Sequence, residues 1–252
     1  MLRWSICNLK HFLELSKFIM NHRKYYNTMI FKYSSTSFSM MVSASPYCIT
    51  ELQIMPEFFV FFFCSNRTFQ YATISVANFF RSLFLIEHNA CTIMSFSLPN
   101  DMDDHLLDLT FYTHDDRKIE AYLPLLLSYQ EFDVGEIDYG WFVSIESHHF
   151  LACLTMLGSN GHVRVSMINS QLIFASRTLH LILQPERGDC IIGGVEEAEI
   201  ICFSISIDPI VPFYSLIRSP KAKRVWLFKS NNDFAVTVIP VDLYAQYLVH
   251  TN

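Results

Sequence analysis

The stretch that decides the fold is LKHFLELSKFIM, residues 9–20. Its apolar residues recur at the spacing of one side of a helix, and its charged residues fall on another side. The apolar set is Leu9, Phe12, Leu13 and Ile19, and the charged set is Lys10, Glu14 and Lys17. The stretch therefore predicts an amphipathic surface helix.

Segments of similar length and character return three more times, at residues 75–86, 147–157 and 208–218. A run of strand-like sequence follows each of them. The last one opens with Asp208 and Pro209, which suit the N-cap and the first position of a helix. Because the four starts are roughly evenly spaced, the pattern predicts four copies of one helix-plus-strands unit. The alternative is four ordinary surface helices on a sheet.

The composition allows a sizeable core and limits the classes of partner. The chain has 252 residues, 51% of them hydrophobic, which is enough for one large or two ordinary domains. A formal net charge of -6 argues against a basic surface all over, but not against one basic face. The N-terminus makes a poor signal peptide, and no apolar run suits a membrane span, so we expect no membrane partner.

Strand-like segments, rich in aromatic and β-branched residues, fill the sequence between the helices. Residues 128–138, SYQEFDVGEID, differ from them in carrying four acids, no base and a glycine. Such a composition is typical of a surface connector. We predict an α+β fold with mainly antiparallel sheets, divided into a first domain at residues 1–127, a connector at residues 128–138 and a second domain at residues 139–252.

Sequence signatures of catalysis are missing from the chain. No phosphate-binding glycine motif and no nucleophile-elbow motif occurs. His148-His149 and the acidic run 101–105 lack the spacing of known metal motifs, and we interpret both as solvated turns. We therefore expect no catalytic residue, no metal and no cofactor, and we do not expect an enzyme.

Four stretches carry a resemblance to a known family: residues 9–14 with Lys17, residues 139–161, residues 171–176 and residues 246–248. Taken in order along the chain, they resemble segments of the DNA sliding clamps of the proliferating cell nuclear antigen type. Residues 9–14 with Lys17 are similar to the first inner helix of that family. Residues 139–161 are similar, without gaps, to the segment that opens its second domain. Residues 171–176 resemble the strand that follows a tight turn, and residues 246–248 resemble the C-terminal Tyr-Tyr-Leu.

The resemblance implies a clamp fold of two similar domains, each with antiparallel sheets and two helices. Three such subunits form a ring, in which the helices line a hole for double-stranded DNA and the sheets face outward. A clamp performs no chemistry. It is placed on DNA by a clamp loader in the nucleus, and it tethers DNA polymerase and other replication or repair partners that bind through short motifs.

The resemblance also assigns candidate sites. A ring that slides needs diffuse positive charge and few base contacts; the DNA-binding candidates are Lys10, Lys17, Arg81, Arg218, Lys221 and Lys223. Partner motifs are expected in a hydrophobic pocket beside the connector and the C-terminal strand; the candidates are Met41, Val42, Ile49, Val134 and Tyr247. Subunits are expected to pair residues 117–127 with residues 178–184 of the next chain. The alternatives are that Met41 and Ile49 are core residues and that both strands are interior.

The expected DNA-facing helices are poor in charge. Where the family has two basic residues on the third helix, this chain has Ala152 and Thr155. Three functions therefore stay open: a homotrimeric sliding clamp, a subunit of a heterotrimeric DNA-damage checkpoint clamp, and a clamp-fold interaction scaffold that does not encircle DNA.

Overall fold

The chain forms two compact units in a computed structural model. Unit 1 comprises Met1–Val42 and Leu52–Glu131, and unit 2 comprises Ser43–Glu51 and Phe132–Asn252. The described residues form mostly antiparallel sheets with four α-helices, which confirms the α+β class. The structure describes residues 1–45, 48–99, 106–126, 134–157, 161–168, 170–195, 200–207, 211–218, 221–232 and 234–251.

The described residues of the first half of the chain form two α-helices and nine strands. They are β1 (Leu2–Ile6), α1 (Leu9–Asn21), β2 (Thr28–Tyr33), β3 (Phe38–Ser45), β4 (Cys48–Ile54), β5 (Phe61–Cys64), β6 (Gln70–Ser75), α2 (Val76–His88), β7 (Cys91–Leu98), β8 (Leu106–Thr113) and β9 (Lys118–Pro124). One sheet has the strand order β5-β1-β7-β8-β9, and β3, β2 and β6 are hydrogen-bonded in that order.

The second half has the same content. It consists of β10 (Ile137–Glu146), α3 (Ser147–Leu157), β11 (His162–Ile168), β12 (Gln171–Ala175), β13 (His180–Leu183), β14 (Cys190–Gly193), β15 (Ile201–Ser206), α4 (Val211–Ile217), β16 (Arg224–Ser230), β17 (Ala235–Pro240) and β18 (Ala245–Thr251). One sheet has the order β13-β12-β11-β15. The strands β14, β10, β16, β17 and β18 follow one another in a second sheet, where β4 lies next to β18.

Strand pairing in the second half repeats that of the first. β1 pairs with β7 while β6 pairs with β2, and in the same way β10 pairs with β16 while β15 pairs with β11. β5 is added outside β1, as β14 is added outside β10. All these pairs are antiparallel. The chain therefore contains four strand-helix-strands copies, in which β9 is the equivalent of β18 and β13 is the equivalent of β4.

Local sequence explains where the helices begin. The side chain of Asn8 accepts a hydrogen bond from the His11 amide at 3.2 Å and caps α1, and that of Ser75 accepts one from the Asn78 amide and caps α2. The bounds of α3 are those that the sequence predicts, and α4 ends at Ile217, one residue before its predicted end. The proposed Asp208 cap of α4 lies outside the described residues.

Each unit buries aromatic side chains from both its helices and its strands. In unit 1, the ring of Trp4 stacks on that of Phe96, with their centroids 4.6 Å apart, and also contacts Phe12 of α1. In unit 2, Phe150 of α3 contacts both Phe174 of β12 and Phe213 of α4. Because the apolar faces of the helices are used in this way, their polar faces point to solvent.

The division into units differs in one respect from the predicted domains. The change from unit 1 to unit 2 falls inside the proposed connector, residues 128–138, of which residues 128–133 lie outside the described part. Ser43–Glu51 belongs to unit 2, although the predicted first domain includes it.

Candidate nucleic-acid interface

The exposed face of α1 carries both lysines that the sequence assigns to DNA binding. Lys10 and Lys17 are exposed and lie about two turns apart, so they project from the same side of the helix. Glu14 is exposed between them. One carboxylate therefore offsets part of the positive charge of this face.

A second group of cations adjoins α1 and was not predicted from the sequence. Arg23 and Lys24 follow the end of α1 in a short 3-10 helix, and both are exposed. The Arg23 guanidinium lies over the ring of Phe84 on α2, 5.9 Å from its centroid. Arg81, the predicted DNA-binding residue of α2, is also exposed. The adjacent basic pair in the sequence was the available signal for this group.

In unit 2 the helices contribute few charges. The exposed face of α3 includes Ala152 and Thr155, and the Thr155 hydroxyl lies 2.7 Å from the hydroxyl of Tyr214 on α4. The Arg218 guanidinium stands over the Tyr214 ring at 5.4 Å. The predicted residues Arg218, Lys221 and Lys223 are all exposed near the end of α4. Positive charge is therefore concentrated there rather than along α3.

An open pocket of about 700 Å³ lies where α3 begins and α4 ends. Arg224 lines it and is held by Ser144, whose hydroxyl accepts from Nε at 2.8 Å and whose carbonyl accepts from Nη2 at 3.0 Å. The Glu146 carboxylate is 4.0 Å from Nη1 of Arg224 and 3.3 Å from Nδ1 of His148. The pocket wall is therefore pre-organised by charge-assisted contacts.

Three residues in this region could hold a metal ion. Glu146, His148 and His149 each offer one ligand atom, and these atoms lie within 4.8 Å of one another. Imidazole and carboxylate groups suit Zn²⁺. Arg224 and Lys223 line the same pocket, and their charge opposes the binding of a cation. We therefore assign no metal to this cluster.

The thiols differ in reactivity. Burial raises the pKa of Cys153 and the pKa of Cys190 to about 11, so both are protonated at neutral pH. The pKa of Cys202 is lowered, chiefly by hydrogen bonding with the Ser166 hydroxyl and also by Arg164. Cys153 and Cys190 therefore lack the thiolate that a nucleophile requires.

The predicted subunit-contact segments lie at sheet edges. Strand β9 ends one sheet and β13 ends another, and each pairs on one side only among the described strands, apart from a bridge between Leu125 and Ile74. The Ser176 amide donates to the Leu179 carbonyl, so these two residues form a hydrogen-bonded pair. Along β12 and β13, such pairs alternate with pairs that exchange no hydrogen bond. By that alternation, His180 and Ile182 direct their backbone N–H and C=O groups away from β12.

Strand β9 has the same arrangement. The Thr113 amide donates to the Arg117 carbonyl, so Lys118, Glu120 and Tyr122 direct their backbone groups away from β8. The edge of β9 therefore offers backbone donors and acceptors to a further strand, as the edge of β13 does.

The predicted partner-binding residues share one environment. Their side chains are between 1% and 4% exposed: Met41, Val42, Ile49, Val134 and Tyr247. These five residues therefore contribute almost no solvent-accessible apolar surface in this structure. Leu243 and Tyr244, just before β18, are exposed apolar residues of unit 2. The assignment of a partner site to the five buried residues stays a prediction.

Comparison of the sequence with protein-family models and with curated proteins gave no match. Among the described residues, no helix is both long enough and apolar enough to cross a membrane.

Proposed function

We propose that this chain is a subunit of a divergent DNA sliding clamp, a DNA polymerase processivity factor that encircles duplex DNA as a trimeric ring in the nucleus. The two-domain clamp fold is part of the proposal. One observation carries it. Strand β18 pairs with β4, whereas their equivalents β9 and β13 are both edge strands.

Ring closure would give the outward-facing backbone N–H and C=O groups of β9 and β13 hydrogen-bond partners. If β9 of one subunit pairs with β13 of the next, each such contact repeats the β18–β4 pairing that the chain already makes. A contact of this head-to-tail kind generates a ring when its rotation closes. Closing the ring also removes two edges that would otherwise favour aggregation. The number of three subunits comes from the family resemblance.

Side chains at the two edges suit a shared sheet. On β9, Ile119 and Leu123 face the covered side, and on β13 Leu181 and Leu183 do so. Antiparallel pairing would extend both apolar rows across the contact. The opposite faces, which carry Lys118, Glu120 and His180 among others, would remain in solvent.

Replacement of Ile182 by proline tests the ring. The Ile182 N–H points to the free edge, so proline removes a donor to the neighbouring subunit and leaves the β12–β13 ladder intact. We expect light scattering to give three times the chain mass of 29.4 kDa for the parent and a single chain for Ile182→Pro. Circular dichroism should change little.

The matched control is Ile182→Ala, which keeps the N–H while it removes most of the same exposed side chain. It should remain a trimer at concentrations where the proline variant is monomeric. A parent chain that is monomeric at micromolar concentration, alone and with candidate partners, would refute the ring.

The exposed cations on and near the helices support the proposal that DNA passes through the ring. Lys10 and Lys17 of α1, Arg81 of α2 and Arg218 after α4 are accessible, and none of them belongs to a buried ion pair among the described residues. In a ring they would contact phosphates without reading sequence. Because α3 is uncharged on its exposed face, we expect weaker retention on DNA than a strongly basic lining would give.

Substitution of the α1 lysines tests the DNA role. The variant Lys10→Ala/Lys17→Ala should bind random duplexes more weakly, and its log K against log salt should become shallower by about one unit for each phosphate that the variant no longer neutralises. Ala152→Arg should shift binding in the opposite direction. Fluorescence anisotropy over a salt series measures both effects.

The control Arg67→Ala/Arg187→Ala removes equal charge from exposed connections between strands, and it should leave the slope unchanged. The assembled parent should be retained on nicked circular DNA after loading and released when the circle is cut. If Lys10→Ala/Lys17→Ala and Ala152→Arg both assemble and both bind DNA with the salt dependence of the parent, the DNA role is refuted. The interaction scaffold would then be the remaining function.

The sparse charge of α3 favours one alternative, a subunit of a heterotrimeric DNA-damage checkpoint clamp, in which partner subunits supply the missing cations. Mass measurement of the chain alone and with candidate partner subunits separates the two rings. A homotrimer forms in isolation, whereas a checkpoint subunit assembles only in a mixture. Clamp loader and polymerase partners belong to either version.

A further inference from the structure

The pocket at the start of α3 has the charge of an anion site. Arg218, Lys223 and Arg224 line it, and Glu146 is the one acidic residue among its described lining residues. Three cations against one carboxylate leave a positive excess close to two. Since the Arg224 guanidinium is already oriented by Ser144 and Glu146, it would lose little freedom on binding a ligand.

The base of the pocket supplies neutral donors. Ser147 opens α3 and lines the pocket; it is 6% exposed, and its Oγ is buried with no hydrogen-bond partner among the described residues. Such an orphan hydroxyl is costly unless a ligand or water uses it. The Ser147 amide donates to the Lys223 carbonyl, so the next amides of the first turn remain without acceptors inside the helix.

We propose that this pocket binds a terminal phosphate group, either that of a phosphate monoester or free inorganic phosphate. A phosphate group combines the charge that the three cations require with oxygens that accept from a helix N-terminus and a hydroxyl. A monoester is esterified on one side only, and at neutral pH it carries between one and a half and two negative charges. It can therefore enter the recess that Ser147 lines. A phosphodiester is flanked by two sugars and has one charge, and it suits the exposed lysines of α1 instead.

This site shares Arg218 and Lys223 with the predicted DNA-binding residues, but it does not rest on the proposed clamp function, since all its residues lie in unit 2 and it needs neither a ring nor duplex DNA. Two sources share its ligand chemistry, namely free inorganic phosphate and the terminal phosphate of a nucleotide. Failure of ring assembly would leave this proposal untouched, and failure of phosphate binding would leave the ring untouched.

Titration calorimetry of the full chain with inorganic phosphate, at constant ionic strength set by chloride, tests the proposal. We expect saturable binding of one phosphate per chain. Ser147→Ala and Lys223→Ala should each weaken it about tenfold, since each removes one hydrogen bond to a charged ligand. Lys221→Ala is the matched control, because Lys221 is an exposed lysine two residues away that does not line the pocket, and it should bind as the parent does.

The Ser147→Ala chain should fold normally, because the hydroxyl that it loses has no partner. Tighter binding of a nucleoside 5′-monophosphate than of phosphate supports the site and identifies a nucleotide as its source. Equal binding of phosphate and the monophosphate supports the site with free phosphate as ligand. The absence of saturable binding in the millimolar range, equally tight binding of dimethyl phosphate, or indifference to both variants would overturn the proposal. Loss of binding on addition of a chelator would overturn it in favour of a metal held by Glu146, His148 and His149.

Discussion

Replacement of Trp4 by alanine is expected to lower the free energy of unfolding by about 3–5 kcal/mol. Trp4 is fully buried on β1. Its ring contacts those of Phe12, Phe38, Phe59 and Phe96, at centroid distances of 5.8, 5.4, 5.0 and 4.6 Å. These rings come from a helix, two strands and a loop, so their packing cannot close over the cavity without moving several elements of unit 1.

Urea unfolding followed by far-UV circular dichroism measures the change, since the loss of a tryptophan alters fluorescence directly. Trp4→Phe should cost less than Trp4→Ala, because it keeps a ring and removes the Nε1–H group, which is buried and has no hydrogen-bond partner in the part of the chain that the structure describes. Leu243→Ala, at an 83% exposed position, should change stability by no more than about 0.5 kcal/mol. A loss below about 1 kcal/mol for Trp4→Ala would contradict the packing of unit 1.

Removal of His250 is expected to have a comparable effect in unit 2. Its Nε2 atom lies 3.2 Å from Oε2 of Glu51, and both side chains are only 2% exposed. His250→Ala removes this contact from a carboxylate that stays buried, and truncation of one member of a buried pair typically costs about 3–5 kcal/mol. The double variant Glu51→Leu/His250→Leu should recover most of that loss, since apolar residues of similar size need no charge compensation.

The pair Glu146 and His148 is the control that tests whether burial sets the strength of the contact between Glu51 and His250. Its atoms are 3.3 Å apart, nearly the distance of the buried pair, but the side chains are 45% and 68% exposed. His148→Ala should therefore cost no more than about 1 kcal/mol. Equal losses for His148→Ala and His250→Ala in urea unfolding would show that burial does not set the strength of the contact between Glu51 and His250.

Local pattern was enough to locate most helices and strands. The apolar spacing of residues 147–157 predicts the bounds of α3, and the apolar and aromatic runs at residues 91–98 and 106–113 predict β7 and β8 with the bounds observed. These signals are local because helix and strand periodicity follows from backbone geometry. Among the described strands, β6 and β14 were not predicted as separate strands. Strand β6 runs directly into the cap of α2, and β14 is short and ends in glycine.

The candidate site was predictable only in part. The sequence identified exposed cations on α1 and after α4, because charged residues on the polar side of an amphipathic helix face solvent. It did not identify Arg23 beside Phe84, or Arg224 fixed by Ser144, because those neighbours are far apart in the chain. The sequence was interpreted as a solvated turn at His148 and His149, whereas both lie in the first turn of α3. His148 is exposed there, as expected, but it lies close to Glu146 and lines a pocket that Arg218 also lines.

By itself the sequence determined the element types and the fourfold return of one helix-plus-strands pattern, since both depend on the spacing of apolar residues along the chain. Only the tertiary structure decided which strands are neighbours and which remain edges. Glu51 and His250 are 199 residues apart in sequence, yet they form a buried contact in unit 2. Similar apolar strands can pair in many orders, and the choice between those orders is made by long-range packing and by the burial of polar groups, neither of which has a local signature.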